Sequence, residues 1–214
     1  MRELQVSGKQ LQLQQMRIQR SLKMRALRTD PSDPDEEVVD AAVNALEKSG
    51  VIIYPTDTVY GVGCLLNEES VRRVYELKGR DFKNPLSVAF SDIEQVRHYT
   101  VLDGVSEGEI LKGGWSAMSY ILEKRGIPDY VTAGLRTVAV RVPESRLCRM
   151  IASRAGPIVS TSANPSGSPA PASVEEIDRS LIEGVELVLD GGRCRIGRPS
   201  KIIDLTECGR VVRD

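Results

Sequence analysis

Three cationic side chains, Lys78, Arg80 and Lys83, fall within six residues of one another. Arginine presents a planar fork of donors and lysine a compact point charge, so such a cluster suits a chain of phosphate groups. The same residues also fit a solvated helix end. The charge of Lys78 would interact favourably with the negative end of the helix dipole, and Gly79 suits the C-terminal cap. The segment alone leaves both interpretations open.

A β-branched apolar run, Val51 to Tyr54, ends abruptly in Pro-Thr-Asp-Thr-Val-Tyr-Gly-Val-Gly. Open α/β sheets bind ligands outside the carboxyl ends of their strands, and Gly61 and Gly63 would let the backbone approach a substrate. Thr58 is either a turn hydroxyl or a substrate contact. Asp57 either helps to hold a magnesium ion or braces the loop, and the loop role is favoured.

A single charge, Arg141, interrupts an apolar strand that runs from Thr137 to Val142. The period of two places Ala139 and Arg141 on one face. A charge in such a strand must reach solvent at the sheet edge or pair with an anion, so Arg141 is a candidate for binding a carboxylate.

Hydroxyls and an amide follow the next predicted strand, in Ser160-Thr-Ser-Ala-Asn164. Ser162 is not predicted to be a nucleophile, because a G-x-S-x-G elbow is absent from the sequence and the single histidine, His98, lies in a segment without active-site character. A capped turn and a substrate-binding loop remain the two interpretations. No covalent nucleophile is expected.

The elements that must position these groups follow from periodicity and capping residues. Helices are predicted over 34–48, 68–77, 93–98 and 144–155, and from a capping box at Ser173 to about Ile182. Strands are predicted over 51–54, 86–90, 119–122, 137–142, 157–160, 187–189 and 201–204, with a loop from 55 through Cys64. The α/β mixture lacks strict βαβ alternation, which predicts an α+β type of fold, a twisted mixed sheet with flanking helices.

A chain of 214 residues with 41% hydrophobic content is long enough for one sizeable core. The sequence lacks the roughly 18 consecutive apolar residues that a membrane helix needs, which predicts a soluble, cytoplasmic protein with no membrane partner. Four cysteines without a CxxC pair, and one histidine, argue against a metal site built by the protein.

Net charge is −1, but residues 1–30 carry seven Lys and Arg against two acidic residues, so the rest of the chain is acidic. Any polyanion must therefore meet a local cluster rather than the whole surface. Residues 1–26 are interpreted as a basic extension, mobile or partly helical or preceding a later start codon, with an RNA-contacting arm as the alternative. Residues 27–214 form the predicted catalytic domain.

These segments, together with Asp190-Gly-Gly192, Gly197-Arg-Pro-Ser200 and Ile202-Ile-Asp204, resemble the YrdC/TsaC family of threonylcarbamoyl-AMP synthases over about residues 30–214. The resemblance implies a YrdC-like fold. It also implies a nucleotidyltransferase that uses ATP to condense L-threonine with bicarbonate, giving threonylcarbamoyl-adenylate and pyrophosphate. The product would serve threonylcarbamoyladenosine formation in tRNA, directly or through a tRNA-modifying transferase.

The resemblance also implies residue roles. Contacts to ATP are expected from Lys78, Arg80, Lys83, Asn84, Thr137, Asn164 and Arg213. Contacts to threonine are expected from Thr58, Arg141, Ser162 and Ser200. Magnesium is expected to be bound mainly through the ATP phosphates, with no protein side chain as a metal ligand.

Two departures from the family pattern bear on these expectations. Asp81 stands where the family usually has proline, and its carboxylate could compete for Arg80. Residues 116–118 read Ser-Ala-Met after Trp115, where the family has Pro-Gly-Pro. The alternative function is therefore a non-catalytic RNA-binding paralogue of the same fold.

Overall fold

The structure is a computed structural model that describes residues 26–207 and 209–214. Within these residues the strands are β1 (Ala26–Arg28), β2 (Ile52–Pro55), β3 (Tyr60–Leu65), β4 (Ser87–Ala89), β5 (Thr100–Val101), β6 (Met118–Lys124), β7 (Thr137–Arg141), β8 (Ile158–Ser162), β9 (Leu187–Asp190), β10 (Lys201–Asp204) and β11 (Arg210–Arg213). The helices are α1 (Glu36–Glu47), α2 (Glu68–Lys78), α3 (Ile93–Tyr99), α4 (Gly104–Gly113), α5 (Asp129–Thr132), α6 (Arg146–Ala155) and α7 (Arg179–Glu183), with one 3₁₀ turn, Val174–Glu176. The basic extension over 1–26 lies outside the described residues except for Ala26.

The strands form one mixed sheet in the order β1-β9-β2-β3-β8-β4-β7-β6-β10-β11, and β5 pairs with β6. The sheet contains both parallel pairs, such as β4 with β7, and antiparallel pairs, such as β3 with β8. The predicted fold class, a mixed sheet with flanking helices, is confirmed.

Alternate strand residues face two apolar clusters. On one face, α1 and α6 pack on β2, β9 and the start of β8, where Ile158 is buried. Because side chains alternate along a strand, Ser160 and Ser162 lie on the same face as Ile158 but beyond the helices. They line an open cavity there instead of the core. The larger cluster fills the opposite face and includes Val140 and Val159.

The loop predicted through Cys64 is wrong, because residues 60–65 form β3 between β2 and β8. Glycine in a strand often marks close approach of neighbouring chain, and that is its role here. A Cβ on Gly63 would lie 2.3 Å from the Val159 carbonyl oxygen, so this glycine serves packing between strands. Gly61 lines the cavity beside Tyr54.

Replacing Gly63 by alanine is expected to lower the free energy of unfolding by about 1–3 kcal/mol, because the strands must separate to admit the methyl group. Urea unfolding measures the change. The control is Gly108→Ala in α4, where a Cβ meets open space. This variant should gain up to about 1 kcal/mol in free energy of unfolding, because alanine has a higher helix propensity than glycine. Equal stabilities of Gly63→Ala and the parent protein would show that the close approach carries no constraint.

The capping box predicted at Ser173 is also wrong. The Ser173 side chain makes no capping bond, and Glu176 accepts from the Ala172 amide at 2.7 Å. The helical segment ends after the 3₁₀ turn. A separate helix, α7, follows, and Asp178 caps it by accepting from Ser180 N. The Glu176 carboxylate was expected to accept from the Ser173 amide, and it accepts from the Ala172 amide instead.

Candidate active site

A cavity of about 330 Å³ lies on the sheet face that α1 and α6 leave uncovered. Its wall takes residues from seven strands, β3, β8, β4, β7, β6, β10 and β11, so the sheet must curl around it. Three guanidinium groups, of Arg80, Arg141 and Arg213, line it among many hydroxyls. Among the described residues that form this wall, none is Asp or Glu. The cavity therefore suits an anionic ligand.

Arg141 projects from β7 and is held by the loop that follows β2. Its Nη1 donates to Thr58 Oγ1 at 2.8 Å, and its Nη2 donates to Asp57 Oδ2 at 2.7 Å. The two charged side chains are 12% and 4% exposed. Thr56 supplies the turn hydroxyl of this loop, since its Oγ1 accepts from Thr58 N and Val59 N. Asp57 thus braces the loop, the role that the sequence favoured.

The pairing leaves Arg141 with capacity for a ligand. A guanidinium has five N–H donors, and the two bonds to Thr58 and Asp57 use two of them. Arg141 Nε and Asp57 Oδ1 are both buried and have no hydrogen-bond partner. The side chain is therefore fixed in orientation and still able to donate to a carboxylate or phosphate at the cavity wall.

Arg213 lies on the edge strand β11 and reaches back to Ser200. Its Nε and Nη2 donate to the Ser200 carbonyl oxygen at 2.9 and 2.7 Å, and the Ser200 and Ser119 hydroxyl oxygens lie 2.8 Å apart. Burial, and then the charge of Arg141, lower the pKa of Arg213. The positive charges of Arg141 and Arg213 are therefore close enough to repel each other. An anion bound between them would stabilise both charged forms.

Arg80 lines the cavity just beyond the end of α2. Its Nε donates to Asn84 O at 3.2 Å and its Nη2 to Pro85 O at 2.8 Å. Asp81, which could have competed for Arg80, accepts from the Lys83 amide instead. Lys83 and Asn84 are exposed on this turn and do not belong to the cavity wall.

Lys78 and Asn164 are both buried and also lie outside the wall. Lys78 Nζ donates to the carbonyl oxygens of Ser162 and Asn164. Asn164 Nδ2 donates to Pro165 O and Ser168 O. The remaining predicted residues, Thr58, Thr137, Arg141, Ser162, Ser200, Arg80 and Arg213, all line the cavity.

The sequence interpretation missed several hydroxyl residues of the cavity wall, Ser119 and Ser160 among them. Tyr54 Oη donates to Ser160 Oγ at 2.8 Å, and burial raises the pKa of Tyr54, which keeps its hydroxyl protonated as a donor. Strand alternation could have found Ser160, since it lies two residues before Ser162. Ser119 gave no such signal, because it lies in the segment that departs from the family pattern.

The turn before β6 carries strain that a glycine would relieve. Ala117 has φ of +51°, and it occupies the position where the family has glycine. We expect Ala117→Gly to raise the free energy of unfolding by up to about 1 kcal/mol, since the left-handed region is costly for a residue with a Cβ. Chemical denaturation of the variant checks this.

The control for Ala117 is Ala45→Gly inside α1, which should lose up to about 1 kcal/mol through helix propensity. A stability loss at residue 117 as large as that at residue 45 would contradict the strain assigned to this turn.

The described side chains provide no set of donors for a metal ion. In the part of the chain that the structure describes, no group of three His, Cys, Asp or Glu side chains converges. Burial raises the pKa of Cys64 and Cys148 to about 12, so both thiols are protonated at neutral pH.

Among the described residues, no helix is long and apolar enough to cross a membrane.

A mixed sheet that curls around an arginine-lined, hydroxyl-rich cavity defines an α/β protein with a cavity suited to an anionic ligand. Residues 44–214 match the sequence model of the Sua5/YciO/YrdC family, described as "Telomere recombination". The chain belongs to this family, which confirms the resemblance inferred from the sequence motifs.

Individual relatives agree with this family. A putative threonylcarbamoyl-AMP synthase of Methanocaldococcus jannaschii is 35% identical over 73% of this chain and 75% of its own length. The threonylcarbamoyl-AMP synthase of Pyrococcus abyssi is 35% identical over 81% of this chain and 52% of its own length. This chain therefore spans about half the length of the P. abyssi protein.

Two solved structures have the same fold. The P. abyssi Sua5 complexed with L-threonine superposes with a TM-score of 0.79 at 31% identity, covering 85% of this chain and 54% of that one. Escherichia coli YciO superposes with a TM-score of 0.81 at 26% identity, covering 89% of this chain and 95% of that one.

Proposed function

We propose that this chain is a threonylcarbamoyl-AMP synthase. It would condense L-threonine with bicarbonate to a carbamate, with loss of water, and transfer the adenylyl group of ATP to that carbamate with loss of pyrophosphate. The observation that carries the proposal is the convergence of three guanidinium groups on one cavity, in a chain whose relatives have this name.

Threonine would bind where β7 meets the loop after β2. Arg141 keeps unused N–H donors for the substrate carboxylate, and Thr58 lies beside it in the cavity wall. Ser162 and Ser200 are the further proposed threonine contacts, since both have hydroxyls in the same wall. A carbamate is short-lived in water, so holding it beside the α-phosphate is the main task of such a site.

ATP would bind with its phosphates between Arg80 and Arg213, with Thr137 as a further contact. As the carbamate oxygen attacks the α-phosphorus, the pyrophosphate oxygens gain negative charge, and fixed guanidinium groups stabilise that charge. This chemistry needs no protein nucleophile. The contacts of Lys83, Asn84 and Asn164 with ATP stay predictions, since these side chains lie outside the cavity wall.

Magnesium fits this site only as a companion of ATP. The described cavity wall offers hydroxyls and guanidinium groups and no carboxylate, which supports an ion held by its ligand and not by protein side chains. We therefore propose that the ATP phosphates hold the ion. When bound, it would help to neutralise the charge of the leaving pyrophosphate.

Pyrophosphate release from ATP, with and without L-threonine and bicarbonate, tests the proposed function. We expect release that requires both substrates and that stops when serine or glycine replaces threonine at equal concentration. Binding of ATP without any threonine-dependent release would contradict the proposal.

The alternative function, an RNA-binding paralogue without catalysis, gives a different result. RNA affinity would then fall steeply with salt, as expected for many phosphate contacts, and pyrophosphate release would be absent.

We propose that the synthase acts in the cytoplasm, where its product would pass to a tRNA-modifying transferase.

A further inference from the structure

Two cationic residues at the end of α2 face different ways. Lys78 is the last residue of the helix and is 3% exposed, whereas Arg80, two residues later, lines the cavity. Gly79 lies between them in the left-handed conformation, with φ of +55°, and turns the chain outward. The pair that resembles a joint phosphate-binding motif is therefore divided between the interior and the site.

Lys78 is attached at both ends to the segment that follows β8. Its ammonium donates to the carbonyl oxygens of Ser162 and Asn164, the latter at 2.7 Å. Its own carbonyl oxygen accepts from the Ser166 amide at 2.8 Å. Within the turn, Asn164 N donates to Ser162 O at 2.9 Å. One ammonium thus gathers two carbonyl groups of a tight turn, and Ser162 brings that turn to the cavity wall.

We propose that Lys78 is a positioning residue: its ammonium holds the Ser162–Asn164 turn in the shape that completes the cavity, while Arg80 meets the nucleotide phosphates. The inference rests on the proposed function for the identity of the nucleotide. The hydrogen bonds that carry it exist in the protein without any ligand.

The phosphate series separates a positioning role from direct phosphate binding. Lys78→Met keeps the unbranched stem and removes the ammonium. A loosened turn should weaken the binding of AMP, ADP and ATP by the same factor, about tenfold. For comparison, Arg80→Met should show a loss that grows from AMP to ATP, because each phosphate adds charge for the guanidinium.

Hydrogen exchange tests the same inference without a ligand. The amides of Ala163, Asn164 and Ser166 donate to Tyr60 O, Ser162 O and Lys78 O respectively. In Lys78→Met these three amides should exchange about tenfold faster, while the β-sheet amides keep their protection. The matched control is Lys112→Met, which removes an exposed lysine from the last turn of α4. Its exchange pattern should equal that of the parent protein.

The pH dependence of AMP binding adds a second measurement. Burial, and then the charge of Arg80, lower the pKa of Lys78 from 10.5 to about 8. Between about pH 8 and pH 10.5, Lys78 binds fewer protons in the folded protein than in the unfolded chain. The contribution of Lys78 to the free energy of unfolding therefore increases as pH rises through this range. AMP affinity should nevertheless fall as pH rises through about 8 in the parent protein, because the ammonium is lost, and stay flat in Lys78→Met.

Three results would overturn the inference: a loss for ATP far larger than for AMP, no loss for any nucleotide, or unchanged exchange at the three amides. If Lys78→Met does not fold, Lys78→Gln replaces it in the nucleotide and exchange measurements. Its amide is uncharged and one bond shorter than the lysine side chain, so we expect the same pattern with smaller changes, equal for AMP, ADP and ATP. A parent protein that binds no nucleotide would contradict the proposed function, and the exchange result would still decide the role of Lys78.

Discussion

Arg141→Lys is expected to lower threonine-dependent pyrophosphate release about 100-fold, because it removes paired hydrogen bonds to the substrate carboxylate. Lysine retains the charge, but it cannot donate to Asp57, Thr58 and a carboxylate from one rigid plane. ATP affinity should change little, since Arg80 and Arg213 remain. Initial rates over a range of threonine concentrations, with ATP titrations beside them, measure the two effects separately.

A purely structural role for Arg141 makes a different prediction. Arg141 and Asp57 form a pair that is largely buried, so Arg141→Met should cost about 3–5 kcal/mol by leaving a buried carboxylate without its cation. Asp57→Asn is the matched control, because the amide oxygen can still accept from Nη2. If Arg141→Lys is destabilised but uses threonine as well as the parent protein does, Arg141 serves only the fold.

Periodic segments with clear end signals were predictable from the sequence. Helix α2, for example, has an apolar stripe and ends at Lys78 and Gly79 as expected. Helix α4 was not predicted, because Gly104, Gly108 and Gly113 hide its pattern and Ile110 is its one buried residue. Strand β11 was missed because its four residues show no alternation of burial to detect. Each keeps a large exposed surface, although the guanidinium of Arg213 is partly covered where it meets Ser200.

The membership of the site was more predictable than its contacts. Thr58, Arg141 and Ser162 come from distant segments, and all three line the cavity. Their residue types left their roles open, and the family resemblance was what implied a shared ligand. What the sequence could not give was direction. Lys78 and Arg80 are both cations near a helix end, and only the left-handed turn at Gly79 decides which of them faces the cavity.

Arg80→Met is expected to weaken ATP binding on the order of 100-fold, because a guanidinium that faces two or three phosphates makes charge-assisted bonds that methionine cannot replace. Stability should fall by less than about 1 kcal/mol, since water can reach the carbonyl groups of Asn84 and Pro85 in this exposed turn. Calorimetric titration with ATP and urea unfolding give the two quantities.

Two further variants decide what the Arg80 result means. Arg72→Met removes an exposed arginine from helix α2, which precedes Arg80. Arg72 pairs with Glu68, and its loss should leave ATP affinity unchanged. Lys83→Met tests whether the phosphates extend over the turn after α2, where Lys83 is exposed. A loss for Lys83→Met as large as that for Arg80→Met would place the phosphates over that turn. Unchanged ATP affinity in Arg80→Met would remove Arg80 from the site and leave Arg141 and Arg213 as its cations.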